Sequence, residues 1–321
     1  MIFGLRYGTT NIYKVIFKMI FSRLASLFLC LVVSATAPLY AAEDVVEDNF
    51  LPTDATHVSW VFSGVVSNEA GDNYGYFFQM QRDDGKLHAV TALFDGQTKK
   101  VIFIEESEAE ALDPMPYNWH AGRAFMRFNP INDSWVFGLQ HKDKKGFNFK
   151  VDMLKQTENI PLTQHLRPGV ELFVNQMSNL NGHIQVGDET EEQFVTAKNA
   201  WFRQVWLSTE QVKTHPLKGV LCRFNDGSGF YSVSMVESDA LRGAIAGWCD
   251  GQGVSAGMSQ FINVKQDLNG PWHIRVTSPS LHLVLSDYIK QNSVVAGFVA
   301  EGKRPGFCML SNELMGTKLL N

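Results

Sequence analysis

The sequence has little charge, few cysteines and no helical periodicity, and each shortage narrows what the chain can be. Only 19% of its 321 residues are Asp, Glu, Lys or Arg, and 28 basic residues face 33 acidic ones, a net charge of −5. A chain that grips nucleic acid needs a basic surplus to neutralise phosphates, so nucleic acid is excluded as the partner. No apolar run after the first forty residues approaches the roughly 20 residues of a membrane helix, so no transmembrane segment is expected in the mature chain. What is abundant is apolar surface. Hydrophobic residues make up 45% of the chain and aromatic ones 12%, which excludes disorder and supplies a large core.

The start of the chain reads as a targeting segment. Arg23 precedes an uncharged stretch from Leu24 to Leu39, which ends in Tyr40-Ala41-Ala42 before the acidic Glu43-Asp44. A basic flank, a short apolar centre and small residues at the exit make a secretory signal peptide over residues 1–41. Met19 offers a more compact start for it than Met1. Cleavage removes Arg6, Lys14, Lys18 and Arg23 and no acid, which leaves 24 basic against 33 acidic groups, a net −9. The expectation is an acidic exported protein, periplasmic or secreted.

Three cysteines then remain: Cys222, Cys249 and Cys308. An odd number leaves at least one free. The hairpin pattern sets Cys222 and Cys249 two strands apart, roughly 10 Å, beyond the ~7 Å Cα limit of a disulfide. A bridge would therefore use Cys308, with either partner. Three buried thiols acting as small hydrophobes fit the sequence equally well.

Apolar and polar residues alternate with period two almost throughout. Val58, Trp60 and Phe62 share one face, Tyr74, Tyr76, Phe78 and Met80 another, and Phe147, Phe149, Val151 and Met153 a third. Such alternation marks strands with one buried side. Asp84-Gly85, Asp95-Gly96, Asn181-Gly182, Asp226-Gly227, Asp250-Gly251 and Asn269-Gly270 are the predicted turns, because these residues tolerate positive φ. The pattern is interrupted near 207–216, with a short helical candidate around Ser208 to Lys213 and a Pro-rich excursion at Asp113-Pro114-Met115-Pro116. About ten strands precede the interruption. Eight follow, over 217–224, 229–236, 241–249, 255–264, 272–277, 280–286, 292–299 and 305–310. The acidic runs Glu105-Glu106-Ser107-Glu108 and Asp188-Glu189-Thr190-Glu191-Glu192 read as solvated loops.

Chemical motifs are scarce. Gly253-Val254-Ser255-Ala256-Gly257 matches the pattern of a nucleophile elbow, but Met258 to Val264 continues as a strand where that elbow needs a helix. Gly251-Gln252-Gly253 fails as a dinucleotide fingerprint for the same reason. The nine histidines show no ligand spacing, and His88, His273 and His282 are expected on strand faces, satisfied by hydrogen bonds. Neither a metal nor an organic cofactor is called for.

Three segments carry a resemblance: Trp60-Val61-Phe62-Ser63-Gly64, Tyr74-Gly75-Tyr76-Phe77-Phe78-Gln79 and Lys198-Asn199-Ala200-Trp201-Phe202-Arg203-Gln204-Val205-Trp206. Together they resemble the lipocalin-like family of AttH proteins and carotenoid 1,2-hydratases (hydroxyneurosporene synthases). That family opens with two aromatic strands and carries an A-W-[FL]-D-H-E-W segment between its halves. The resemblance implies an all-β chain of two consecutive lipocalin-like antiparallel barrel or sandwich domains, over 42–209 and 210–321. In the family segment a His and a Trp lie beside a polyene, and an acid elsewhere protonates it. Here Trp201 and Trp206 match, while Asp, His and Glu are replaced by Arg203, Gln204 and Val205. Gln cannot relay a proton and Val offers only bulk. The reading therefore leans away from catalysis, toward a carrier or sensor of an isoprenoid or fatty-acid-like molecule. Trp60, Tyr76, Phe78, Trp201, Trp206 and Tyr231 are the candidate ligand contacts, with Gln204 as the polar one. A hydratase or isomerase with a relocated acid, and an envelope interaction module with filled barrels, are the alternatives.

Overall fold

The structure is a computed structural model, which describes residues 55–110, 117–140, 145–153, 163–187, 191–208, 215–237, 240–252, 254–260, 262–302 and 304–315. The predicted signal peptide, the Pro-rich excursion, Gly253 and nearly all of the short helical candidate lie outside these residues. Every regular element described is a strand, as the period-two pattern predicts. Eleven strands form the first sheet: β1 (His57–Asn68), β2 (Asn73–Asp83), β3 (Lys86–Asp95), β4 (Val101–Glu110), β5 (Asn118–Ala121), β6 (Ala124–Asn129), β7 (Ser134–Leu139), β8 (Gly146–Asp152), β9 (Gln164–Arg167), β10 (Val170–Gln185) and β11 (Gln193–Leu207).

Its spatial order is β4-β3-β2-β1-β11-β10-β8-β7-β6-β5, with β9 paired to β10. The two ends nearly meet, and side chains bridge the seam. Arg123 Nε donates to both oxygens of Glu105, at 3.2 and 3.0 Å, and Ser107 Oγ donates to Ala121 O at 2.6 Å. The acidic run is therefore not a solvated loop. Glu105 to Glu108 lie within β4, where Glu105 pairs with Arg123 and Glu106 with His88 at 2.6 Å. Asn181-Gly182 is likewise no turn but the middle of β10, where the missing Cβ of Gly182 lets Asn148 O of β8 approach. Asp84-Gly85 does turn the chain, with φ of 44° and 80°.

Alternation decides which residues enter this barrel. Val58, Trp60 and Phe62 of β1 point inward, as do Phe202 and Trp206 of β11. Phe62 stacks on Phe137 at 4.0 Å between ring centroids and Phe147 on Phe149 at 4.5 Å, so the interior is lined with rings in mutual contact. Each fully buried ring contributes up to about 3 kcal/mol.

The opposite faces of β1, β2 and β11 pack on a second sheet. It is built from β12 (His215–Phe224), β13 (Gly229–Glu237), β14 (Ala240–Cys249) and β15 (Ser255–Gly257), with three later strands. A third sheet of β16 (Ile262–Gln266), β17 (Trp272–Val276) and β18 (Leu281–Leu285) covers its far side. The chain then returns through β19 (Tyr288–Gln291), β20 (Val294–Glu301) and β21 (Arg304–Met315) to complete the order β15-β14-β13-β12-β21-β20-β19. The single strand expected over 255–264 is thus two short strands in different sheets, and β19 is an addition to the predicted set. Because β12 pairs with β21, Cys222 sits opposite Cys308, and the two form a disulfide. Cys249 is the free thiol.

Candidate functional site

The predicted aromatic set divides between two places. Trp60, Tyr76 and Phe78 are fully buried inside the barrel, and Trp206 joins them at its rim. Trp201 and Tyr231 lie instead in the interface between the first two sheets, with ring centroids 5.6 Å apart. Period two explains the split. Residues 201 and 206 differ by an odd number, so one strand sends them to opposite faces. Trp201 Nε1 donates to Cys222 O at 3.0 Å, a docking contact between sheets. Gln204 is fully buried; it shares the inward parity of Phe202 and Trp206 and lies opposite Trp60 in the β1–β11 register.

The same alternation assigns the family-segment departures their roles. Arg203 points away from the barrel interior and is 1% exposed. Its Nη2 pairs with Glu313 of β21 and its Nη1 donates to Ser311 Oγ at 3.2 Å, while Ser59 Oγ donates to Glu313 Oε2 at 2.5 Å. Burial alone would raise the Glu313 pKa; the Arg203 charge and hydrogen bonds from Ser59, Arg203 and Ser311 outweigh it and hold the carboxyl below its ordinary range. Gly219 of β12 makes room, since a Cβ there would collide with Arg203 Nη1 and Ser311 Oγ. Val205 packs in the same interface.

The barrel interior is layered by register. Trp60, Met80 and Gln204 share one level, Phe62, Phe78 and Phe202 the next, and Gly64 and Tyr76 the one beyond. Trp119 and Trp135, which sequence reasoning did not single out, extend the first level: Trp119 lies 5.0 Å from Trp60 and 6.1 Å from Trp135 between centroids. Trp60 Nε1, Trp135 Nε1 and Tyr76 Oη are buried without a hydrogen-bond partner among the described residues. Burial drives the Tyr76 phenol far up in pKa, against a lowering influence of Arg223, so it stays a neutral hydroxyl.

At the rim, Glu171 of β10 is the direct register partner of Trp206 and therefore shares its face. Its carboxylate accepts from Ser208 Oγ at 3.1 Å and stands 2.5 Å from His165 Nδ1. Glu171 is only 8% exposed. The signal was present in Val170-Glu171-Leu172-Phe173, where one acid interrupts an apolar strand. Arg82 of β2 lies over the Trp60 ring at 6.0 Å. No group of three or more His, Cys, Asp or Glu side chains gathers as a metal site among the described residues.

No family model and no curated protein matches the sequence. Solved structures do resemble it. A protein assigned as AttH from Nitrosomonas europaea superposes with a TM-score of 0.58 at 14% identity, over 84% of this chain and 96% of that one. Kievitone hydratase from Nectria haematococca superposes with a TM-score of 0.54 at 8% identity, over 79% of this chain and 89% of that one. At such identities the likeness is one of fold, and the fold is the lipocalin-like, AttH and hydratase type that the aromatic segments resemble.

Proposed function

We propose that this is an exported protein that binds a hydrophobic small molecule, isoprenoid-like or fatty-acid-like, inside the first barrel. The observation that carries the reading is the set of polar ring tips in the apolar interior. A core that needed only filling is served by Phe and Leu. Trp60 Nε1, Trp135 Nε1 and Tyr76 Oη instead each forgo a hydrogen bond among the described residues, at a cost of about 1–3 kcal/mol apiece. Such groups are retained where they meet a polar atom of something else, and a few polar groups among aromatic walls are the usual make-up of a ligand pocket. Trp60, Tyr76, Phe78, Gln204 and Trp206 would contact the molecule, while Trp201 and Tyr231 would act through sheet docking. The signal-like stretch after Arg23 supports export.

Mass spectrometry of organic extracts from gently purified protein tests this. A stoichiometric apolar molecule, lost on Trp60→Ala, is expected. Clean extracts, together with no tryptophan quenching by added retinol, would overturn the reading.

A second reading is favoured by one specific group. Glu171 beside Trp206, hydrogen-bonded by Ser208 and facing His165, is an acid next to an aromatic wall. That pairing suits protonation of a double bond and stabilisation of the resulting cation. The likeness to kievitone hydratase is of fold alone, so this hydratase reading rests on the side chains. Water addition to an unsaturated isoprenoid, abolished in Glu171→Gln with binding retained, is its expected signature. A wild-type protein that binds such molecules and returns them unchanged would rule it out.

A further inference from the structure

Arg223 is charged, buried and nearly unpartnered. It lies on β12, faces the first sheet and is 3% exposed. Its Nη2 donates to Lys198 O at 3.3 Å, and its Nη1 has no hydrogen-bond partner among the described residues. Asp226 is within electrostatic reach of it, but no ion pair joins the two among the described residues. Asp226 is engaged by Ser228 and by Arg304, whose Nε lies 3.1 Å from its Oδ2. Cys249 is held as a neutral thiol, because burial raises its pKa more than Arg223 and the Ser255 hydrogen bond lower it. Desolvation correspondingly pulls the Arg223 guanidinium down to about 10. An isolated buried charge is strongly unfavourable, and proteins keep one where a counter-charge arrives.

The location gives the group access to the barrel. Between Ser63↔Trp201 and Ser67↔Thr196 the β1–β11 pairing slips, so three residues of β1 face four of β11. Asn199, at φ 62°, is in this bulge. Lys198 O, the acceptor of Arg223, belongs to the same break in the wall. Inside it lies Tyr76, whose Oη would be 3.3 Å from a Cβ on Gly64 and which is within electrostatic reach of Arg223. Gln176 Nε2 donates to Gly227 O at 3.4 Å on the Arg223 side, and its Oε1 is also without a partner among the described residues.

We propose that Arg223 and the Tyr76 hydroxyl form a buried oxyanion site at this break, taking the carboxylate of an amphipathic ligand whose apolar part lies in the barrel. This rests on the binding reading above and names its ligand class as an acid. A guanidinium presents paired N–H donors to two oxygens, and the phenol adds a third donor from inside. The oxyanion could also be a small free one, such as phosphate or acetate, and the test separates the sources.

Titrations with retinoic acid and retinol compare one tail with two heads, read by tryptophan quenching on the full chain. The acid is expected to bind about ten- to a hundredfold tighter than the alcohol, the worth of a charge-assisted contact. Arg223→Met should erase the preference by weakening the acid alone, and Tyr76→Phe should reduce it partly. Arg223→Met should also raise the melting temperature, because it removes a desolvated charge; a structural arginine would lower it. Stabilisation of wild type by phosphate or acetate, absent in Arg223→Met, with neither retinoid bound, keeps the oxyanion site and sinks the barrel reading. Tight but equal binding of both retinoids does the reverse. Wild-type protein that neither prefers the acid nor melts higher with either anion overturns the proposal, however the variants fold.

Discussion

Arg203 and Gln204 are neighbours in sequence and face opposite ways. The sequence shows that two adjacent strand residues face opposite ways; it does not show which face is the interior, because both sides of β11 are buried. Arg203 went outward to Glu313, a partner 110 residues away, and no local pattern announces such a pair. Glu313→Gln leaves that guanidinium buried without its counter-charge, and the expected loss is about 3–5 kcal/mol in urea unfolding. Gly219→Ala should destabilise through the same network by displacing Arg203. The pH dependence has a definite sign. The folded pKa of Glu313 lies below its unfolded value, so its contribution is complete above about 4.3 and fades as pH falls through the depressed folded value. Wild type should therefore lose stability below that point more steeply than Glu313→Gln. Parallel acid unfolding slopes would contradict the assignment.

At the scale of elements, strand existence was legible and strand roles were not. Tyr74, Tyr76, Phe78 and Met80 announce β2 by alternation alone, because the sheet face turned to the barrel interior must be apolar. The β4 run Glu105 to Glu108 lacked that signal, since an edge strand half open to water tolerates acids on both faces. Gly182 misled because glycine serves turns and close strand approaches alike. Of the candidate site, the aromatic strands were readable, whereas Glu171 and Arg223 needed the register to show what they face. The β4–β5 seam has its own test. Arg123 bonds Glu105, and its Nη1 reaches Gln140 O at 3.0 Å and Lys145 O at 3.1 Å, so one side chain ties both barrel ends. These groups are partly exposed, so Arg123→Ala should cost only about 1 kcal/mol overall. Its larger effect should be local. Amide exchange in β4 and β5 should accelerate several-fold more than in β1, β10 and β11. Uniform acceleration across the sheet would mean that Arg123 does not hold the seam.

For the whole molecule, the question is whether two β halves unfold as one. The Cys222–Cys308 bridge closes a loop of 86 residues that holds the third sheet and most of the second. Chain entropy gives such a cross-link about 4.6 kcal/mol. Nothing in the first barrel is covalently constrained by it. Yet Arg203 to Glu313, Ser59 to Glu313 and Trp201 to Cys222 cross from one half to the other within the buried interface. Loosening the second sheet therefore exposes a charge and an indole that the first sheet cannot satisfy alone. Reduction, or the Cys222→Ala/Cys308→Ala pair, should destabilise both halves together. Replacing Trp248 and Trp272 by Phe leaves five tryptophans, all on the first sheet, as reporters. In that background their fluorescence transition in urea should move to lower denaturant on reduction and coincide with the loss of far-ultraviolet circular dichroism. If the first-sheet reporters keep their oxidised midpoint while half the dichroism is lost earlier, the interface does not couple the halves.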